Sequence, residues 1–300
     1  MKSSNVIKEK LSGVFVPIIT PFINDIIEYK SLLNNIKKLN SSSIKGYFVL
    51  GSYGENKSLA MAEKIKILEL FKENKKDKII IVNASCESSM ETIKFGKEAQ
   101  KRGADFIAAL TPSYFNRQIN DDVLIDYYSE IAESLENPIL LYNAPGFAGG
   151  KKLSSKVVEI LASHPNIVGI KDSTSDSIMD FIISTTDINN FYILSGSINN
   201  FFIGILNGAI GGVLSMANAF PEIFCRLYDL LIKNRLADAR KLNLKLLVLK
   251  KEISKYGVSG IKALTSLAGL FGGEPRRPLK ALNPDQIEEI QNLLIKIGFH

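Results

Sequence analysis

The amino-acid sequence predicts an α/β fold, a (β/α)8 TIM barrel followed by a C-terminal helical extension. Short apolar segments rich in β-branched residues alternate with amphipathic helical segments along most of the 300 residues. The apolar segments lack a strict polar–apolar alternation, which is typical of parallel strands that are buried on both faces. Eight such strand–helix units within about 230 residues match the usual length of a barrel of this kind.

The strands and helices follow from this alternation. The predicted strands are Val14–Ile19, Gly46–Leu50, Ile79–Asn83, Phe106–Ala109, Ile139–Tyr142, Ile167–Ile170, Tyr192–Leu194 and Gly212–Leu214. Helices are predicted at Ala62–Asn74, Met90–Arg102, Val123–Leu135, Ser154–Ala162, Ser177–Ser184, Glu222–Lys233, Ala237–Glu252, Gly260–Leu270 and Pro284–Ile297. We expect residues 1–232 to form the catalytic barrel and residues 233–300 a three-helix extension packed on it, since no linker separates them. The alternative, a doubly wound sheet, would need a glycine-rich phosphate turn after the first strand, where Thr20–Asn24 stands.

Composition excludes several classes of function. The formal net charge is +6, but the lysines are dispersed and no arginine-rich run occurs, so we expect no nucleic-acid partner. The uncharged stretch Ile188–Pro221 contains asparagines that lipid would leave unpaired, which argues against a membrane span. The first five residues lack the apolar segment of a signal peptide, so a cytoplasmic protein is expected. Two cysteines and two histidines are too few for a disulfide scaffold or a histidine-built metal site, and we expect no metal.

The active site of such a barrel forms at the C-terminal ends of its strands. Candidate catalytic and substrate-binding residues at these ends are Thr20, Gly51, Ser52, Tyr53, Tyr114, Tyr142, Lys171, Ser195, Gly196 and Leu214. Hydroxyl groups and one lysine therefore gather where metal ligands or phosphate-binding glycines would otherwise stand.

Lys171 is the sharpest of these candidates, because it closes the apolar segment Ile167–Ile170. Desolvation among apolar walls disfavours the charged form and lowers the pKa of a lysine from about 10.4. The neutral amine can attack a ketone and form a Schiff base. The alternative is a solvated lysine at a strand end.

Two further groups fit chemistry at that amine. Tyr142 could move protons during imine formation, although a core tyrosine with a satisfied hydroxyl would look the same in sequence. The Gly51–Glu55 turn could hold a carboxylate through the backbone N–H groups of Ser52 and Tyr53 and the Ser52 hydroxyl. The alternative for this turn is an ordinary loop.

An ordered set of motifs identifies a family. The segments are Pro17–Phe22, Gly51–Glu55, Thr111–Tyr114, Tyr142–Pro145 and Gly169–Ser173, followed by Leu194–Gly196, Gly208–Gly212, Ala217–Asn218 and Pro278–Leu279. Together they resemble the dihydrodipicolinate synthase / N-acetylneuraminate lyase family over almost the whole chain.

The resemblance implies a class I, lysine-dependent pyruvate aldolase or lyase on a (β/α)8 barrel. In matching positions, Lys171 is the Schiff-base lysine and Tyr142 the proton-transferring tyrosine. Ser52 and the backbone of Tyr53 bind the pyruvate carboxylate, and Tyr114 matches a tyrosine lent across a dimer interface. Members are commonly homotetramers, built as dimers of dimers, and use no metal or other cofactor besides the substrate imine.

Departures from the synthase pattern bear on the substrate. Phe147 stands where that pattern has an arginine for the second substrate's carboxylate, and Tyr53 replaces a hydroxyl residue, which interrupts the hydroxyl relay in its usual form. Several strings look closer to the 4-hydroxy-2-oxoglutarate aldolase branch. They are Cys86–Ser88, Thr111–Tyr114, His164–Gly169, Tyr256–Lys262 and Gly272–Leu279.

The leading hypothesis is therefore a 4-hydroxy-2-oxoglutarate aldolase-like enzyme that makes or breaks a C–C bond at a pyruvate enamine. Alternatives within the family are 4-hydroxy-tetrahydrodipicolinate synthase and a lyase of N-acetylneuraminate or 2-keto-3-deoxy sugar acids. A metal-dependent barrel enzyme would need several converging histidine or carboxylate ligands. A silent binder of 2-oxo acids would fit the altered residues Phe147 and Tyr53, since a pocket does not guarantee turnover.

Overall fold

The computed structural model of the chain describes residues 4–174 and 178–299. Eight parallel strands form a closed barrel, which confirms the predicted fold class. These strands are β1 (Gly13–Pro17), β4 (Gly46–Val49), β5 (Ile79–Asn83), β6 (Phe106–Leu110), β7 (Ile139–Asn143), β8 (Ile167–Asp172), β9 (Tyr192–Ser195) and β10 (Gly211–Val213). A small hairpin, β2 (Phe22–Ile23) with β3 (Ile26–Ile27), follows the first barrel strand. The barrel closes because β1 pairs with both β4 and β10.

Helices lie between the barrel strands and after them. They are α1 (Ser4–Leu11), α2 (Tyr29–Leu39), α3 (Met61–Asn74), α4 (Ser89–Lys101), α5 (Asp121–Ser134), α6 (Ser155–Ala162), α7 (Ile178–Ser184), α8 (Ile198–Leu206), α9 (Pro221–Ile232), α10 (Leu236–Ile253), α11 (Gly257–Leu267) and α12 (Pro284–Ile297). Side-chain caps fix several starts: Ser88 accepts from the N–H of Glu91, and Asn283 from that of Gln286. The predicted first residue of the helix at 177–184, Ser177, lies outside the described residues, although α7 covers the rest of that prediction. Residues 1–3, on which the expectation about a signal peptide partly rests, also lie outside the described residues.

The apolar core has two layers. The inner layer fills the barrel and includes Phe15, Phe48, Leu140 and Leu194. The outer, larger layer lies between the strands and the surrounding helices. Successive residues of a strand point to opposite faces, so each barrel strand contributes to both layers.

One strand departs from this alternation. Ile139 pairs with Ile167 but Leu140 pairs with Gly169, so β8 carries one extra residue, Val168, opposite β7. Both Ile167 and Ile170 consequently belong to the outer layer. Lys171, which pairs with Tyr142, faces the barrel interior. A bulge of this kind commonly re-aims a side chain beside a functional site.

The helices after residue 232 contact the barrel at its C-terminal end. Helix α10 packs against α8 and α9, and α11 packs against the turn that follows β10. Asn35 of α2 exchanges two hydrogen bonds with the backbone of Phe271, at 2.8 and 2.9 Å. Within residues 4–174 and 178–299, no helix is long and apolar enough to cross a membrane.

Candidate active site

A cavity opens at the C-terminal ends of the strands, where the sequence places the candidate residues. Its empty space is about 590 Å³, including the part open to solvent. Lining side chains come from six barrel strands or the turns after them and from three helices. Those used below are Tyr53, Tyr142, Phe147, Lys171, Ser173, Leu214, Ser215 and Lys250.

Lys171 lies at the floor of this cavity and is 4% exposed. Its ammonium nitrogen is 3.8 Å from the ring centroid of Phe48 and 3.9 Å from that of Tyr142. Burial between these rings holds the pKa of Lys171 well below its ordinary value. Among the described residues, no carboxylate forms an ion pair with this amine, so no ion pair offsets the cost of burying its charge. The arrangement favours the neutral, nucleophilic form.

Asp172, the next residue, does not form an ion pair with Lys171. Its carboxylate is fully buried and accepts hydrogen bonds from Asn143 at 2.8 Å and from the Thr174 hydroxyl at 2.7 Å. Burial raises its pKa, while these two donors act in the opposite direction. The contacts tie the end of β8 to the end of β7 beside the site.

Tyr142 shares the floor with Lys171 and is 2% exposed. Burial raises the pKa of its phenol to about 12, and the hydroxyls of Ser52 and Ser173 oppose the rise. The Tyr142 hydroxyl is 3.2 Å from Ser52 Oγ, and either group can donate. This contact does not involve Tyr53, so the interruption of the usual hydroxyl relay at Tyr53 stays a prediction.

Tyr53 lines the same cavity as Tyr142. Burial raises the pKa of Tyr53, and an interaction with the Ser215 hydroxyl opposes the rise. Its ring packs edge-on against Phe147, with centroids 5.9 Å apart. The two aromatic residues that depart from the synthase pattern thus form one wall of the cavity together.

Packing and a hydrogen bond fix the turn that carries Ser52 and Tyr53. Gly51 packs so closely on Phe48 that an added Cβ would lie 2.8 Å from its ring. The Thr20 hydroxyl donates to the carbonyl of Gly54 at 2.8 Å. The short 3-10 helix Ser52–Gly54 then ends at Glu55, whose φ of 57° is left-handed. A turn this tightly held can present its N–H groups in a fixed orientation.

Glu55 connects the turn to the C-terminal helices. Its carboxylate lies 2.6 Å from the ammonium of Lys262 in α11, and both side chains are at most 2% exposed. The second carboxylate oxygen accepts from the Arg276 N–H at 2.9 Å. Lys262 also donates to the carbonyls of Thr20 and Glu274, both at 2.6 Å. Burial nevertheless lowers the pKa of Lys262 to about 8, with Glu55 opposing the fall.

The remaining candidates divide into two groups. Gly196 and Leu214 line the cavity, as predicted. Thr20 and Ser195 are buried behind it, with their hydroxyls donating to the carbonyls of Gly54 and Ser197, so they support the wall rather than face the space.

Tyr114 lies outside the cavity of its own chain. Its side chain is 79% exposed, and its ring packs edge-on against the ring of Phe115, which is also exposed, with centroids 5.0 Å apart. Glu87 accepts from the N–H of Ser113 at 2.8 Å and of Tyr114 at 2.9 Å, which fixes this loop. Partial burial raises the pKa of Glu87, but these N–H groups and Lys57 lower it to about 2.

Sequence reasoning missed several cavity residues, among them Ser173, Ser215 and Lys250. Ser173 and Ser215 are hydroxyls one and two residues beyond a strand, at positions where the search for strand ends could have found them. Lys250 lies in α10, far from any strand end, and no local pattern distinguishes it from the other lysines of that helix. Among the described residues, no group of three or more His, Cys, Asp or Glu side chains could hold a metal ion.

Comparisons with known proteins agree on one family. The model of the Dihydrodipicolinate synthetase family matches residues 10–297. A 4-hydroxy-tetrahydrodipicolinate synthase of Methanopyrus kandleri is 29% identical over 96% of this chain and 97% of its own length. An uncharacterized DapA-like lyase of Thermococcus onnurineus is 32% identical, covering 96% and 99% of the two chains. The crystal structure of a chloride-inhibited dihydrodipicolinate synthase from Acinetobacter baumannii, complexed with pyruvate, superposes with a TM-score of 0.89 at 28% identity, over 97% and 100% of the chains. The predicted 4-hydroxy-2-oxoglutarate aldolase branch is not confirmed by these matches.

Proposed function

Since this chain belongs to the dihydrodipicolinate synthetase family, we propose that it is a class I lyase whose Lys171 forms an imine with pyruvate. The observation that carries the proposal is the buried Lys171 amine, packed between two aromatic rings and free of ion pairs with the described residues. Burial that lowers the pKa of an amine favours its neutral form, which can act as the nucleophile toward a keto carbon.

The chemistry assigns one task to each group at the floor. The neutral Lys171 nitrogen attacks C2 of pyruvate and forms a carbinolamine. Tyr142 donates its proton to the former keto oxygen, which leaves as water, and the C=N bond forms. The protonated imine then accepts the electron pair released when C3 loses a proton, giving an enamine. C3 of the enamine attacks an aldehyde carbon, and hydrolysis of the imine returns the amine.

Ser52 serves this cycle as the proton partner of Tyr142. The two hydroxyls are 3.2 Å apart, so a proton lost by Tyr142 can be replaced from Ser52. A tyrosine with a pKa near 12 holds its proton until a stronger base appears in the site, such as the alkoxide oxygen formed when the amine attacks the ketone.

The turn at Ser52–Gly54 is the proposed seat of the pyruvate carboxylate. The first N–H groups of a helical turn have no partner within the turn and attract anions. Ser52 and Tyr53 begin this turn, and Gly51 and Glu55 fix it on both sides. The carboxylate would then lie beside Ser52, with the keto carbon toward Lys171.

Two activities within the family are candidates for the specific reaction of this chain. The names of the relatives favour 4-hydroxy-tetrahydrodipicolinate synthase, in which the acceptor is an aldehyde that carries a carboxylate. Phe147, in place of an arginine, instead favours an aldolase such as one acting on 4-hydroxy-2-oxoglutarate. Both substrates place a second carboxylate beyond the reacting carbon.

We further propose that the chain acts as a cytoplasmic homotetramer, a dimer of dimers, in which Tyr114 enters the site of a second copy. The exposed aromatic pair Tyr114 and Phe115, on a loop that Glu87 fixes, supports this. An aromatic patch at the surface of a single chain is typical of an interface.

Borohydride reduction in the presence of pyruvate tests the proposed function. Intact and peptide mass spectrometry should show Lys171 carrying pyruvic acid less one oxygen atom, whereas Lys171→Met should remain unmodified. The same enzyme is then assayed with aspartate semialdehyde plus pyruvate and with 4-hydroxy-2-oxoglutarate. A folded protein whose Lys171 stays unmodified would refute the imine. A trapped imine with no turnover of any acceptor would favour a silent 2-oxo acid binder.

A further inference from the structure

A second lysine lines the active-site cavity and has no role in imine chemistry. Lys250 lies in α10, and its side chain is half-buried at the cavity wall formed by the C-terminal helices. It stands in the same cavity as Lys171, Tyr53 and Phe147.

Lys250 differs from two lysines near it in having no hydrogen-bond or ion-pair partner among the residues that the structure describes. Lys262 forms an ion pair with Glu55, and Lys245 of the same helix donates to the carbonyl of Ile297 at 2.7 Å. Among residues 4–174 and 178–299, no hydrogen bond or ion pair engages the ammonium of Lys250. Burial lowers its pKa, and no acidic group opposes that fall. Partial burial of a cation without hydrogen-bond or ion-pair partners in the protein costs free energy, which an anionic ligand bound to that cation would offset.

The charge of the cavity is one-sided. Among the described residues that line it, none is an aspartate or a glutamate, and its only basic side chains are Lys171 and Lys250. Lys171 is consumed in the imine, and the pyruvate carboxylate goes to the turn at Ser52–Gly54. Lys250 is therefore the cation left for a second anionic group of the substrate.

We propose that Lys250 binds a second carboxylate, carried by the acceptor aldehyde or by the far end of a dicarboxylic 2-oxo acid, and so selects acidic over neutral substrates. The inference rests on the proposed function, because it takes the imine at Lys171 as the other end of the substrate. The proposal also explains why phenylalanine is acceptable at position 147. The cavity wall formed by Tyr53 and Phe147 needs no cation if Lys250 of α10 provides one. Lysine suits the task as a point charge on a flexible chain.

Two probes of equal length test the proposal. 2-Oxoglutarate and 2-oxopentanoate both offer a 2-oxo acid to Lys171, but only the first carries a second carboxylate in place of a methyl group. The ratio of their borohydride trapping efficiencies is measured for the wild type, Lys250→Gln, Lys250→Arg and Lys251→Gln. Lys251 neighbours Lys250 on α10 but is exposed, so it is the matched control.

The wild type should prefer 2-oxoglutarate, and Lys250→Gln should lower that preference on the order of 10- to 100-fold, as expected for a lost charged hydrogen bond. Lys250→Arg and Lys251→Gln should keep most of it. Since the readout is a ratio within one protein, a general loss of activity does not mimic the effect.

The outcomes separate the two proposals. If pyruvate itself is not trapped on the wild type, the proposed function fails and this inference fails with it. If pyruvate is trapped but 2-oxoglutarate has no advantage over 2-oxopentanoate, only the role of Lys250 is overturned. An unchanged ratio in Lys250→Gln, or an equal fall in Lys251→Gln, overturns it as well.

Discussion

Replacing Lys171 by methionine should remove the chemistry and stabilise the fold at the same time. The amine is 4% exposed and has no ion-pair partner among the described residues, so its burial costs free energy that an apolar side chain would not. A buried polar group without a full set of partners costs about 1–3 kcal/mol. We therefore expect Lys171→Met to raise the free energy of unfolding by about that amount.

The corresponding shift in melting temperature can be worked out. Unfolding entropy is about 2.1 cal/mol/K per residue, which for 300 residues gives about 0.6 kcal/mol/K. A gain of about 1–3 kcal/mol then raises the midpoint by about 2–5 °C. Urea unfolding measures the free energy, and thermal unfolding measures the midpoint.

The difference in the free energy of unfolding between Lys171→Met and the wild type should also depend on pH, in a direction that the pKa of Lys171 fixes. The pKa of Lys171 is lowered in the folded state, while in the unfolded chain it is near 10.4. Between these two values the unfolded chain binds more protons, so wild-type stability rises with pH through this group. The gain of Lys171→Met therefore shrinks as the pH rises toward 10.4. A variant that is less stable than the wild type near neutral pH, or a difference that does not change with pH, would refute the reasoning.

Three other perturbations test the surroundings of this amine. Lys262→Met leaves the buried carboxylate of Glu55 without its ion-pair partner, and should lower the free energy of unfolding by about 3–5 kcal/mol in urea titrations. Ser52→Ala removes the hydroxyl 3.2 Å from that of Tyr142, and should slow imine formation roughly 10- to 100-fold, measured by quenched borohydride trapping. Tyr114→Ala should change protomer stability by less than about 0.5 kcal/mol, because the side chain is exposed, yet lower turnover.

Controls distinguish these effects from general damage. Lys251→Met changes an exposed lysine and should leave stability unchanged within about 0.5 kcal/mol. Mixing inactive Lys171→Met with Tyr114→Ala chains should restore activity, because a mixed dimer contains one site with both groups. Absence of such complementation would count against the lent tyrosine, and an Lys262→Met protein as stable as the wild type would contradict the role of the ion pair.

Much of the fold could be predicted from periodicity, because buried parallel strands and amphipathic helices leave distinct patterns. Helix α2 was not among the predicted helices, and its start explains why. Glu28 caps it by accepting from the N–H of Ser31, whereas serine, threonine, aspartate or asparagine is the usual signal. The predicted strand at 167–170 stopped one residue short of Lys171, since nothing local shows that the ladder continues through a charged residue.

The site was predictable where it depends on strand ends and not where it depends on packing. Lys171 and Tyr142 lie side by side because neighbouring strands carry them at paired positions. Lys250 enters the same cavity only because α10 packs over α8 and α9, a contact between segments far apart in sequence. Tyr53 and Phe147 were noted as departures, but their mutual packing could be known only from the structure.

The extra residue in β8 gives this enzyme a dependence on chain length as well as on residue type. If Val168 were kept but formed no bulge, strict alternation from Ile167 would send Ile170 into the barrel and Lys171 out among the surrounding helices. The same eight strands and the same lysine would then make a stable but chemically inert protein. Inserting one residue between Ile170 and Lys171 would likewise preserve every side chain needed for catalysis and turn the amine outward. Deleting Val168 would instead remove the bulge and keep Lys171 paired with Tyr142.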